Sequence, residues 1–405
     1  MSVSVTAPPA ARRADVSAPS RNNGTATGLS VAIYLHDLAG GGVERQSLII
    51  AEEFRRRGAD VTLVLHRLRG QLLDQVPPGL RVVDLNSSRT LMDVPGLARF
   101  LRAKKPDILL SNVDLNNVAA LLAKCISFSH TKVVICQHNP ISISFAAGES
   151  RLYRHIAMAY RVLSPLITRA VAVSDGVSAE LATLARLPSE LILTINNPVV
   201  GPDFQGRSME PVDHPWLGSP RSGPVFVTAG RLVPQKDHET MIRALAIHRR
   251  EVDSRLIILG TGPRQDELID LVARLSLTHV VDFAGFHSNA LPFFREADAF
   301  LLSSRCEGFG NVVVEALGCG APVIATDCEY GPREILDGGR YGVLVQPRNP
   351  AALAEAMDQV ATLRERFPAD MLRKRAGDFS YAACASRYMA MFKALAPNRA
   401  WAASA

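Results

Sequence analysis

The sequence predicts an α/β protein of two doubly wound, Rossmann-like domains facing a central cleft. Three observations predict it. Short β-branched runs alternate with segments of helical length from residue 30 onward. The alternation stops at one proline-rich stretch and then restarts. Finally, 405 residues at 47% hydrophobic and 21% charged supply enough apolar material for two cores. Strands separated by helices pair in parallel and are covered on both faces.

Residues 1–27 are rich in Ala, Ser, Pro and Thr without periodicity and read as a disordered tail. In the first domain, residues 28–200, the expected strands are Ser30–Leu35, Val61–Leu65, Arg81–Leu85, Asp107–Leu110, Lys132–Cys136, Ala170–Val173 and Leu191–Ile195. The helices between them are Val43–Arg57, Pro95–Lys104, Asn116–Ile126, Arg151–Ile167 and Gly176–Leu184. Gly58 just after Arg55-Arg56-Arg57 is a helix stop, with cations against the negative end of the dipole. From Asn197 to Gly223 prolines and glycines cluster with no periodicity, so 201–223 reads as a linker. The second domain, 224–378, restarts with strands Pro224–Thr228, Arg255–Leu259, Val280–Phe283, Ala299–Leu302, Pro322–Ala325 and Gly342–Val345. Its helices are Asp237–His248, Pro263–Leu275, Leu291–Glu296, Asn311–Leu317 and Ala351–Leu363. A terminal helix, Tyr381–Ala394 within 379–396, is apolar on both faces and has no strand after it. Ligands should bind between the domains, at the strand C-termini.

Composition narrows the function. Aromatics are 6% with 2 Trp, too few for stacking platforms, and a net charge of +6 favours anionic partners only mildly, so nucleic acid is not expected. Six cysteines without a CxxC read as small hydrophobes of a reducing compartment. No run reaches the roughly 18 apolar residues of a membrane span, and no signal peptide is recognisable. The expectation is a cytoplasmic protein.

Three loops carry the chemistry. After the first strand comes Gly40-Gly41-Gly42-Val43-Glu44, where backbone N–H groups can approach an anion at a positive helix end, or where glycine merely closes a tight turn. The spacing is not GxGxxG and the second strand ends in Leu65-His66-Arg67 without an acid, which disfavours dinucleotides. After the first strand of the second domain, Gly230-Arg231-Leu232-Val233-Pro234-Gln235-Lys236 places two cations at the cleft, able to hold a diphosphate. The most informative run is Ser304-Arg305-Cys306-Glu307-Gly308-Phe309-Gly310-Asn311-Val312 with Glu315 beyond: a carboxylate in a glycine-rich turn, a helix start, and a second carboxylate one turn in. Glu307 alone would serve equally as a cap, and Glu315 as an exposed helix carboxylate.

Gly40–Gly42 with Glu44, Gly230-Arg231 with Lys236, Gly260-Thr261-Gly262-Pro263 and Glu307…Glu315 together resemble the retaining glycosyltransferases of family 4, with the GT-B fold, over nearly the whole folded chain. The resemblance implies a nucleotide-sugar donor, UDP-linked by preference, in the second domain and a glycan or polyprenyl-diphosphate-linked acceptor on the first, in cell-surface polysaccharide synthesis. It implies that Arg231 and Lys236 neutralise the leaving diphosphate, Glu315 holds the ribose, and Glu307 holds the donor sugar. Gly41, Gly42, Gly262, Phe286, Phe309, Gly310, Asn311 and Val312 would complete the donor site. His138, at the end of the fifth strand, would act with Glu307, Arg231 and Lys236 near the reacting carbon; a lone His there is otherwise a surface group. Gly331-Pro332-Arg333-Glu334-Ile335 looks like a run common among relatives that build lipid-linked glycans, and its mechanical role does not follow from sequence.

No Asp-x-Asp after a strand and no metal-spaced cluster is present, so no cofactor and no metal are expected. Between Leu97 and Ala170 ten Lys/Arg (99, 102, 104, 105, 124, 132, 151, 154, 161, 169) face three acids (107, 114, 149), either a solvated surface or a face for the anionic inner leaflet of the plasma membrane. A UDP-sugar 2-epimerase would share this architecture, and a non-catalytic nucleotide or nucleic-acid binder is the non-enzymatic alternative.

Overall fold

The computed structural model describes residues 28–142, 155–218 and 221–399. The expected tail at 1–27, the first residues of the helix expected at 151–167, and the cations at 151 and 154 lie outside the described residues. Strands β1 (Ser30–Leu35), β2 (Asp60–Leu65), β3 (Arg81–Asp84), β4 (Ile108–Asn112), β5 (Lys132–Gln137), β6 (Arg169–Ala172) and β7 (Ile192–Thr194) form one sheet. Strands β8 (Val225–Ala229), β9 (Arg255–Leu259), β10 (Val281–Gly285), β11 (Ala299–Leu302), β12 (Val323–Thr326) and β13 (Val343–Val345) form the other. Their orders are β3-β2-β1-β4-β5-β6-β7 and β10-β9-β8-β11-β12-β13. Every pairing between these strands is parallel.

Helices on both faces explain why the central strands β4, β11 and β12 are buried along their whole length. In each sheet the order reverses beside the first strand, between β1 and β4 and between β8 and β11. A crevice opens at the C-terminal ends of strands at such a switch point. The loops after β1, β8 and β11 hold the three motifs, so the topology brings them to that crevice.

The proline-rich stretch is not the featureless linker expected. It contains a helix, Phe204–Ser208, with Phe204 5% exposed and Leu217 also buried. The ring of Phe204 lies over Gly318, where a Cβ would come 2.7 Å from its tip, so an aromatic anchor pins the stretch to the second domain. A helix at Ala369–Gly377 was not anticipated, and the one expected at 351–363 divides at Gln359 into Pro350–Asp358 and Val360–Arg366. The terminal helix Tyr381–Leu395 returns to the first domain. There Tyr388 and Phe392 meet Phe54 of the helix Gly42–Arg56, with ring centroids 5.8 and 5.2 Å away. At its start, Phe379 and Tyr381 exchange backbone hydrogen bonds with Val199 and Val200, so two segments of chain cross between the domains side by side.

Candidate functional site

The loop after β8 and the loop after β11 are tied to each other before any ligand is considered. Arg305 N–H donates to Gln235 O at 2.8 Å, Gln235 Nε2 to Cys306 O at 2.9 Å, and Ser303 Oγ to Lys236 O at 2.9 Å. Arg305 also pairs with the buried Asp237 at 3.0 Å. This lacing brings Lys236 to Glu307. Lys236 Nζ donates to Glu307 Oε1 at 2.5 Å, and Ser304 Oγ donates to the same oxygen at 2.6 Å. The Glu307 side chain is 8% exposed and that of Lys236 20%, so the pair is mostly desolvated, and both bonds fall on the same carboxylate oxygen. Two residues expected to serve sugar and diphosphate separately are therefore ion-paired with one another.

A cavity of about 450 Å³ lies between the domains. Arg231, Glu315, Asn311, Val312, Phe286 and Gly42 line it, as expected. Arg231 is exposed there, free to turn its guanidinium toward an anion. The helix Asn311–Gly318 begins at Gly310, whose φ of +100° is a left-handed conformation that suits glycine, and no side chain caps it. Val313 N–H donates to Gly310 O at 2.9 Å, and the N–H groups of Asn311 and Val312 are left for an acceptor, with the positive end of the helix dipole behind them. Burial raises the Glu315 carboxyl above its ordinary value, while the cations Arg207 and Arg45 pull it back.

Several expected positions sit elsewhere. Gly262 is behind the wall, pressed on the Leu232 backbone, and Gly260 and Thr261 line the cavity instead. The Phe309 side chain is core, 2% exposed and edge-on to Phe379 at 5.3 Å, so only its backbone can serve a ligand. Gly41 lies beside the tip of the Glu44 carboxylate and does not line the cavity, whereas Gly42 does. His138 lines a separate hole of about 20 Å³ with Asn112, Asn197 and Gln46. Its Nε2 contacts Asn112 Oδ1 at 2.9 Å, Nδ1 is buried without a partner, and burial pushes the ring down to about 4. The backbone of His138 nevertheless reaches the Glu307 loop: a Cβ on Gly308 would overlap the His138 carbonyl oxygen.

Arg45, Arg207 and Tyr381 line the cavity and were not anticipated. Arg45 follows the Glu44 already noted, in the first turn of the same helix, and that position was its available signal. Arg207 stands in the aperiodic proline-rich stretch and had none. Among the described residues no group of three or more His, Cys, Asp or Glu is placed to hold a metal ion. The cations at 102, 105 and 132 do gather, around a surface groove with Arg399 and a Phe128 that is 88% exposed. That groove lies where β4 and β5 begin, at the sheet edge opposite the cleft.

A model of glycosyl transferases group 1 matches residues 211–378, and one of Glycosyltransferase Family 4 matches residues 40–200. An uncharacterized glycosyltransferase of Methanocaldococcus jannaschii is 27% identical over 70% of this chain and 74% of its own. The N-acetylgalactosamine-N,N'-diacetylbacillosaminyl-diphospho-undecaprenol 4-alpha-N-acetylgalactosaminyltransferase of Campylobacter jejuni is 34% identical over 37% of this chain, but the match spans only 39% of that enzyme. Among solved structures, Anabaena HepE in complex with UDP superposes with a TM-score of 0.74 at 21% identity, covering 90% of this chain and all of that one.

Proposed function

Because the chain belongs to the glycosyltransferases of group 1 and family 4, its two halves each matching one of their models, we propose that it moves a sugar from a nucleotide-sugar, UDP-linked by preference, to a glycan or polyprenyl-diphosphate-linked acceptor in cell-surface polysaccharide synthesis, with retention and without a metal. The observation that carries this reading is the convergence of Arg231, Glu315 and the uncapped start of the helix Asn311–Gly318 on one inter-domain cavity, with the Lys236–Glu307 pair in the adjoining loop. Arg231 and the helix end would hold the diphosphate, and Glu315 the ribose. Charge that develops on the leaving group is met by groups already in place, which lowers the barrier without solvent reorganisation. As the diphosphate takes charge from Lys236, Glu307 is released toward the sugar, so leaving-group departure and sugar contact are coupled through one ion pair.

The bound UDP named for HepE and the undecaprenol diphosphate named for the Campylobacter enzyme support the donor and acceptor classes. Retention rests on kinship with family 4. No helix among the described residues is long and apolar enough to cross a membrane. We place the reaction at the cytoplasmic face of the plasma membrane, reached through the basic groove around Lys105 and Lys132.

The test is incubation with a panel of UDP- and GDP-sugars and a mixture of lipid-diphosphate acceptors, with and without EDTA, following released nucleotide and product mass. Transfer of one sugar that survives the chelator is expected. Nucleotide binding with no product, or loss in EDTA with rescue by Mn²⁺, would overturn the corresponding part of the reading.

A further inference from the structure

The Gly331-Pro332-Arg333-Glu334 run has no part in the site described above, yet its glutamate reaches across the cleft. Glu334 Oε2 accepts a hydrogen bond from the Asp175 backbone N–H at 2.8 Å, and Oε1 accepts one from Asn196 Nδ2 at 2.6 Å. Both donors belong to the first domain. The carboxylate is braced from behind, because Arg375 donates to the carbonyl oxygens of Glu334 at 2.7 Å and Ile335 at 2.9 Å. Asn196 is braced too: its Nδ2 also donates to Val173 O at 3.1 Å, and its Oδ1 accepts from Arg387 of the terminal helix at 3.1 Å.

One residue before Asp175 stands Ser174, whose Oγ accepts from Val177 N–H at 3.3 Å, capping the helix Asp175–Thr183. The same hydroxyl donates to Gly308 O at 2.8 Å, next to Glu307. Gly176, on the same turn, has no room for a Cβ because the Tyr330 ring occupies the space. The N-terminus of a first-domain helix is thus gripped twice by the second domain. A carboxylate at that end also suits the helix dipole.

We propose that Glu334 is a positioning residue. Its carboxylate latches the start of the helix Asp175–Thr183, and through it Ser174, against the Gly308 carbonyl, setting the Glu307 loop relative to the acceptor domain. The latch rests on the transferase reading for its effect on turnover, but its effect on inter-domain geometry does not.

Three variants separate the parts. Glu334→Gln replaces one accepting oxygen with a donor. Asp175→Pro removes the N–H together with the aspartate side chain, without disturbing the helix start: position 175 is the first helical residue, where proline is favoured, and Ser174 before it is already extended at φ −151° and ψ 161°. Asp175→Ala removes the same side chain but keeps the N–H and serves as control. Turnover, nucleoside diphosphate affinity by calorimetry, and a spin-label distance between the domains are read for each.

Loss of one charge-assisted contact corresponds to about 10-fold or more in turnover. That loss is expected for Glu334→Gln and Asp175→Pro, with a broadened inter-domain distance, while nucleoside diphosphate affinity stays within about two-fold. Asp175→Ala should match the wild type. An unchanged distance distribution in both Glu334→Gln and Asp175→Pro overturns the latch, whatever the enzyme transfers. Lost nucleotide affinity in those variants overturns it as well, by placing Glu334 in the donor site.

Discussion

Glu307 and Lys236 form a partly buried pair, and that pairing sets the sign of what their substitution does. Arg231→Ala removes a cation from the inter-domain cavity and should weaken nucleoside diphosphate binding by roughly 10- to 150-fold, the value of one charged hydrogen bond. Glu307→Gln removes the negative partner of Lys236, leaving its ammonium uncompensated beside the proposed diphosphate site. Nucleoside diphosphate affinity should therefore hold or rise while turnover falls by roughly 100-fold. Calorimetry paired with turnover checks both, and parallel loss of affinity in the two variants would refute the assignment. A second residue-scale expectation concerns His238, buried beside Lys236. Burial, then the Lys236 cation, pushes its ring down to about 4. The ring is neutral when folded, whereas the unfolded chain protonates it near the ordinary 6.5. Its contribution is thus complete above about 6.5 and lost as pH falls toward 4. His238→Gln should remove about 2 kcal/mol of the stability difference between pH 7 and pH 5, read from urea midpoints. An equal difference in both proteins would refute it.

Two glycines on the elements around the site separate backbone strain from collision. An added Cβ at Gly310 meets nothing nearer than 3.7 Å, so Gly310→Ala bears only the cost of a left-handed φ, about 1–2 kcal/mol. Gly331 has a φ of +88°, and a Cβ there overlaps the Phe309 carbonyl as well. Gly331→Ala should therefore lower the melting temperature by more than Gly310→Ala does, and equal shifts would show that the loop gives way. These loops also mark where sequence was readable. Parallel strands buried on both faces display apolar runs, so β1, β9 and β11 were legible to the residue and β8 to within one, and with β1, β8 and β11 the turns that hold Gly42, Arg231 and Glu307. Arg207 was hidden because its helix is short and proline-flanked and is anchored by one aromatic ring across the chain. Phe309 read as a donor-site residue because periodicity is absent from a turn, where nothing distinguishes a ring facing Phe379 from one facing a ligand. The Lys236–Glu307 pairing depends on lacing between loops some seventy residues apart, and no local pattern encodes that.

At the scale of the whole molecule, the cleft and the basic groove occupy opposite edges of the first sheet. Attraction by exposed charge is screened within about 8 Å at physiological salt. The protein should therefore sediment with anionic vesicles at low ionic strength and leave them as salt is added. Lys105→Glu with Lys132→Glu should abolish this without changing turnover on a soluble acceptor, and equal binding to neutral vesicles would exclude the groove. The terminal helix is the other long-range feature. Phe392 is fully buried against the first domain, so Phe392→Ala should cost about 3–5 kcal/mol, read by thermal unfolding as a loss confined to that domain. The same packing has a consequence for biogenesis. A polypeptide leaves the ribosome N-terminus first, and leading domains ordinarily condense while the rest is still being made. Here the helix that covers Phe54 is encoded by residues 381–395, after the entire second sheet. The domain translated first is thus the last to be finished, and a message broken anywhere before codon 381 yields a nascent chain with a permanently uncovered apolar face, a ready substrate for chaperones and proteases.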